Sequence, residues 1–288
     1  MKSFSSALLC MLMLMVCACD NQGKDSKVIY QSKDSEVIYQ GKDSMVVIAV
    51  NTPHRVGYFT DNKGTFLFNK QFERVSAFSE DLALVVQNDK WGFINTKGEV
   101  VIPCVYDFAG GFSKGLAPVA QNDKYGYINT KGEVVIPCIY NDAGEFSEGF
   151  ARVQQNGKYG YINTKGEVVI PCIYDLAGSF SEGLARVEQN DKYGYINTKG
   201  EVVIPCVYDD AYWTFSEDLA CVRLNGKWGY INTKGEMVIP CIYNEAFPFF
   251  EGLSYVEQND KWFIINTEGK VIIAECDENT YWSKVEME

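Results

Sequence analysis

Histidine is almost missing: His54 is the only one in 288 residues. No pair of imidazoles is available to a metal, and a Ser-His-Asp or Cys-His site would have to be built around that one position. Cationic side chains are also scarce, 26 Lys and Arg against 38 Asp and Glu, for a net charge of -12. A chain of that sign does not favour phosphate backbones, which excludes nucleic acid as the expected ligand. Only 8 prolines and 25 glycines occur, so the chain is not collagen-like, and a 47% hydrophobic content excludes a disordered tail. No Cys-x-x-Cys motif or Cys/His cluster stands anywhere, which gives no support to a metal centre or other cofactor.

Long hydrophobic runs are lacking too. The run Ala7 to Val16 is shorter than the ~20 residues of a bilayer span but suits the apolar region of an export signal, and Lys2 precedes it. It ends in Val16-Cys17-Ala18-Cys19, small residues followed directly by cysteine. This resembles the lipobox of bacterial lipoproteins. The resemblance implies a signal peptide over residues 1–18, acylation of the Cys19 thiol, and a chain held at a membrane of the bacterial cell envelope, facing periplasm or cell surface. An ordinary secretory signal cut elsewhere is the alternative. Three nine-residue units beginning Lys24-Asp25-Ser26, Lys33-Asp34-Ser35 and Lys42-Asp43-Ser44 follow. Residues 19–42 read as a tether lifting the next domain, 43–288, off the lipid surface. A small sheet built from the Val-Ile-Tyr segments is the competing reading, because each segment has strand chemistry.

From there the chain repeats. Lys-Trp/Tyr places its ring at Trp91, Tyr125, Tyr159, Tyr193, Trp228 and Trp262, at spacings of 34, 34, 34, 35 and 34. Within one unit, Leu184 to Gln189 alternates as a half-buried strand, Asn190-Asp191 turns, Tyr193 to Asn197 forms a second strand, Lys199-Gly200 turns again, and Glu201 to Ile204 forms a third that Pro205 ends. Gly194, between Tyr193 and Tyr195, reads as a place where neighbouring backbone or a ring comes close. Helix signals are absent. The expectation is an all-β repeat array of ~34-residue two-hairpin units. It is expected to be solenoid-like, with a β-propeller as the alternative, since three strands fall short of the four in a propeller blade.

Lys90-Trp91-Gly92-Phe93-Ile94-Asn95, Lys97-Gly98 and Ile102-Pro103 to Tyr106, iterated, resemble the WG-repeat family, also called KWG repeats, over residues 54 to about 277. The ends depart from the pattern: the first unit reads Val56-Gly57-Tyr58-Phe59, and the last has Phe263 for glycine and Ile273-Ala274 for Ile-Pro. Such units read as caps around about five full repeats.

Cys104, Cys138, Cys172, Cys206 and Cys241 hold one position in successive repeats. A repeat rise of roughly 10 Å exceeds the ~7 Å limit between bridged Cα atoms, so a buried ladder of reduced thiols is expected. Glu133, Glu167 and Glu201 recur beside turns as identical copies, which suits solvation better than unequal acid and base roles. The chain therefore reads as no enzyme, an envelope hydrolase being the remote alternative.

Where copies are nearly identical, the positions that differ are candidates for recognition. One is a strand position read as outward-facing: Leu84, Pro118, Arg152, Arg186, Cys221 and Tyr255. The other is the loop reading Gly110-Gly111, Gly144-Glu145 and Gly178-Ser179 early, then Tyr212-Trp213-Thr214 and Phe247-Pro248. The candidate binding residues are thus Tyr212, Trp213, Phe247, Arg152 and Arg186, with an end seal as the alternative use of the loop rings. The expected role is a scaffold for protein partners. The rival is an envelope glycan or cell-wall binder, which would need Tyr125, Tyr159 and Tyr193 to face solvent.

Overall fold

The computed structural model describes the strands Ile29–Gln31, Glu36–Gln40 and Val46–Val50, residues Phe59 and Phe68, and residues 70–276. Cys19, the leader and His54 lie outside the described residues. No helix occurs among the described residues, hence none long and apolar enough to cross a membrane.

The chain divides into two units, Met1–Phe78 and Ser79–Glu288. In the first, the three strands named above form an antiparallel sheet with Ile38 opposite both Ile29 and Ile48. The nine-residue units thus supply strands, as their Val-Ile-Tyr chemistry allows. Phe59 is buried there against Phe68, Phe72 and Phe78, at ring distances of 5.4 to 6.5 Å.

Among the described residues the repeats fold as six four-stranded antiparallel sheets, each a meander of consecutive strands. In one of them the opening strand is Phe108–Ala109, followed by Leu116–Gln121, Lys124–Asn129 and the closing strand Val134–Tyr140. The all-β repeat array is as the period predicts; the strand count is not. A two-residue opening strand was missed, because Phe-Ala or Asp-Ala is too short to display alternation. Four strands per sheet remove the argument from strand number against a propeller blade. In the second unit the sheets succeed one another in a solenoid-like array without a closed barrel.

The hairpin between the two middle strands is set by its turn. Asn122 and Asp123 both take left-handed φ values of 54° and 58°, the geometry of a tight two-residue turn that suits strand twist and that Asn and Asp tolerate. The next turn is held by a side chain: Asn129 Oδ1 accepts from the backbone N–H of both Lys131 and Glu133 at 3.0 Å. The same pair of bonds recurs at Asn95, Asn163, Asn197 and Asn232. The Asn-Thr-Lys-Gly-Glu hallmark is therefore turn chemistry.

Packing runs from sheet to sheet. One core contains Leu116, Tyr127, Ile136 and Tyr140 of one repeat and Phe146, Ala151, Val153 and Ile162 of the next, so neither repeat buries it alone. Tyr127, Tyr161, Tyr195 and Tyr230 are fully buried, and each donates its hydroxyl to a loop carbonyl of the following repeat, at Gly144, Gly178, Tyr212 and Phe247, over 2.7 to 2.9 Å. Burial raises the pKa of all four phenols. Ser113, Ser147 and Ser216 add hydroxyl bonds to Phe146, Phe180 and Phe249 of the next repeat.

Candidate binding row

The strand expected to be half-buried is covered on both faces: Ala185 and Val187 are buried, and so is Arg186 between them. The alternation of apolar and charged residues is real, but both faces of the strand are covered. The row Leu84, Pro118, Arg152, Arg186, Cys221 and Tyr255 is accordingly buried or half-buried, which corrects the outward reading.

The two variable places of the sequence are one place in the fold. The backbone N–H of Gly110, Gly144, Gly178, Tyr212 and Phe247 donates to the carbonyl of Pro118, Arg152, Arg186, Cys221 and Tyr255 respectively, over 2.8 to 3.1 Å. Side chains trade volume across the first four of those pairs, while in the last, Phe247 and Tyr255 are both rings, 6.3 Å apart. A Cβ at Gly144 would come within 3.0 Å of Arg152 Cγ, and one at Gly110 within 2.7 Å of Pro118 Cγ. Where the loop carries the Tyr212 ring, the strand carries Cys221.

Of the three loop rings singled out from the sequence, two are packed in. Tyr212 is half-buried edge-on to Trp228 at 5.6 Å, with its phenol pKa raised first by burial and then by nearby Cys221 and acidic groups. Phe247 packs against Tyr255 and Trp262, which stack on each other at 4.5 Å. Trp213 alone is exposed, at 52%.

Trp213 does not lie on its own repeat. Its ring centroid is 3.3 Å from the guanidinium carbon of Arg186 in the preceding one, and its edge rests over Gly178, where a Cβ would meet Cε3 at 3.3 Å. The same guanidinium lies 4.7 Å from the Tyr193 ring, donates to the Ala211 carbonyl, and has Asp210 at 3.8 Å. Among the described residues Arg186 is the buried charged side chain, and these partners replace the water it has lost. Burial lowers its pKa, against the opposing pull of Tyr193, Tyr195 and Asp210.

Arg152, one repeat earlier, keeps half of that arrangement. Its guanidinium carbon is 5.5 Å from the Tyr159 ring, Nη1 is 3.5 Å from the Ala177 carbonyl, and Nη2 is 3.5 Å from Asp142. Tyr159 also donates its hydroxyl to Asp142 over 3.1 Å. The sequence singled out both arginines, and Tyr159 and Tyr193 only as hallmark rings of the glycan reading, but neither Asp142 nor Asp210. A usable signal was present: the tight turn sets Gln154 opposite Tyr159 and Arg152 opposite Tyr161, which makes Arg152 and Tyr159 diagonal neighbours on one face.

The hallmark rings Tyr125, Tyr159 and Tyr193 are half-buried, and Tyr125 packs on Phe108 at 5.8 Å. Cys138, Cys172, Cys206 and Cys241 carry free, half-buried thiols, and Cys221 a fully buried one. No cluster of three metal-ligating side chains forms among the described residues.

Stacked meander sheets that share their cores, repeated with one strand row and the loop above it among the varied positions, define a β-repeat protein. The profile of the WG-containing repeat matches residues 59–91, 91–125, 125–159, 159–193, 193–228 and 228–262, so the chain belongs to the WG-repeat family. No curated protein matches the sequence. Among solved structures the chain is similar to a eukaryotic initiation factor, with a TM-score of 0.52 at 13% identity over 89% of this chain and 78% of that one. It is also similar to BamB from Moraxella catarrhalis, with a TM-score of 0.45 at 13% identity over 89% and 91%.

Proposed function

We propose that the protein is a non-catalytic scaffold for protein partners, tethered to the bacterial envelope as a lipoprotein through Cys19. The observation that carries the scaffold reading is the separation of constant and variable parts. Cores, turns and inter-repeat hydrogen bonds are copied from sheet to sheet, while the loop changes in every copy and the row from Leu84 to Tyr255 changes in all but the Arg152 and Arg186 pair. Such an array offers an extended surface whose local chemistry can vary without touching the frame. The Val16-Cys17-Ala18-Cys19 segment supports the anchor. Against the glycan reading stands the use already made of the hallmark rings: Tyr159 holds Asp142, Tyr193 lies against Arg186, and Tyr125 packs on Phe108.

Two measurements test this. Cells fed a fatty-acid analogue should label the wild-type chain and not Cys19→Ser; equal labelling removes the anchor. Cross-linking in envelope extracts should capture a defined protein with the repeat domain, and a glycan array should stay blank. Glycan binding with no protein captured would reverse the choice.

A further inference from the structure

Two successive repeats present the same arginine on the same tyrosine, and in one of them the chain itself covers the pair. At Arg186 the loop of the following repeat reads Tyr212-Trp213-Thr214, and the Trp213 ring closes over the guanidinium. At Arg152 the following loop reads Gly178-Ser179, one residue shorter, with the small exposed Ser179 in place of Trp213-Thr214. The side chain of Arg186 is 7% exposed and that of Arg152 31%.

The surroundings differ in one further way. Arg186 has Leu176 at the opening-strand position of its own sheet and Asp210 at that position of the next, so the guanidinium reaches forward to Ala211 and Trp213. Arg152 has Asp142 on its own sheet and Leu176 on the next. Its chain folds back over Gly144, where a Cβ would meet Cγ at 3.0 Å and Nε at 3.1 Å. Holding it there is a half-exposed ion pair at 3.5 Å, of a kind that stabilises weakly and yields to a better partner. A ring arriving from solvent finds a cation, a tyrosine beside it and the 36%-exposed Leu176.

We infer that Arg152 and Tyr159 form a docking site for the ring of a tryptophan or tyrosine side chain presented by a protein partner, in the way that Trp213 docks on Arg186, which itself lies against Tyr193. The chain supplies its own template for the bound form. The inference rests on the scaffold reading and narrows it to one ring on one repeat. Aromatic rings are enriched at the energetic centres of protein interfaces, and a guanidinium is the cation that stacks on them best. On docking, Arg152 straightens off Gly144, its bond to the Ala177 carbonyl shortens, and Asp142 is left to Tyr159.

The test uses the full chain and, as probe, the acetylated and amidated peptide Asp-Ala-Tyr-Trp-Thr, the sequence of residues 210–214. Only five arginines occur, Arg55, Arg74, Arg152, Arg186 and Arg223, so their side-chain Nε–Hε signals can be assigned by single substitutions. Titration should move the Arg152 signal upfield and saturably, leave Arg186 in place, and weaken at least tenfold when alanine replaces the peptide tryptophan. Arg152→Leu should abolish the response without loss of folding, since Leu84 already fills that position in an earlier repeat. Arg152→Lys should weaken it, since the planar stack is lost. Ser179→Trp-Thr should shift Arg152 by itself, towards the Arg186 signal, and block the peptide. An Arg152 signal that moves with neither the peptide nor the Ser179 variant overturns the site. If a protein partner captured by the wild type is held equally by Arg152→Leu, the scaffold reading stands and the Arg152 site falls.

Discussion

Cys138, Cys172, Cys206 and Cys241 show what one residue can and cannot do in this frame. Each sits in a closing strand with its thiol 3.7 to 4.0 Å from the carbonyl of a valine in the same sheet. Burial raises the pKa of each above the ordinary thiol value, so less thiolate is present at neutral pH than on an exposed cysteine. Cys221, wholly buried, is shifted furthest. Alkylation of the native protein at neutral pH should be slow at all five, slowest at Cys221, and should accelerate only at a pH above that of a model thiol. Intact mass over time reads this directly, and rapid labelling at pH 7 would contradict the burial. The register of the cysteines was legible in the sequence, but their depth was not. Alternation marks the face a residue lies on, and how much of that face the next sheet covers is a property of packing.

A glycine and a proline act together at the level of the strand. A Cβ on Gly194 would lie 2.4 Å from the carbonyl oxygen of Ile204 and 2.7 Å from the backbone at Pro205 and Cys206. The pairing slips there: Tyr193 faces Tyr208, yet Tyr195 faces Ile204. The closing strand bulges inward across the glycine, and the proline within the bulge needs no ladder partner. The last repeat shows the converse. With Phe263 and Ala274 in these places, the two residues simply pair, and the slip is smaller. Gly194→Ala should therefore cost ~3 kcal/mol or more through backbone collision. Gly183→Ala, at a turn with φ of 74° and open space around it, should cost only ~1 kcal/mol of conformational strain. Denaturant melts of the two variants settle the comparison, and equal losses would rule out the close approach. The sequence did point to Gly194 as a place of close approach, because glycine inside a strand has few other uses. Its coupling to Pro205 was not visible, since the slip that joins them follows from the pairing register.

At the scale of the whole array, the ~34-residue period carried most of the fold, and the fold carried only part of the site. Arg152, Arg186 and Trp213 stood out as variable positions. That Trp213 reaches Arg186, 27 positions earlier, follows from how one sheet seats on another, which no local pattern encodes. The copied interfaces have a measurable consequence. Removing residues 146–179, one full period, brings together surfaces that already match, so the shortened chain should keep its circular dichroism and a cooperative melt. Removing half that length should leave an unmatched strand edge and collapse. Failure of the full-period deletion, with the half-period one no worse, would show that the array depends on its exact number of units.

One residue, Asn141, separates the closing strand Val134–Tyr140 from the next opening strand Asp142–Ala143. With so short a link, a sheet can dock on its successor almost as soon as both exist. The hydrogen bonds that join repeats through Ser113, Ser147 and Ser216 each span only 33 positions. Most all-β folds are slow to form because distant strands must find one another before anything is gained. Here every strand's partners are its neighbours along the chain, so the search is short. The array should be assembled in order of synthesis, one sheet at a time, well before its last residues exist.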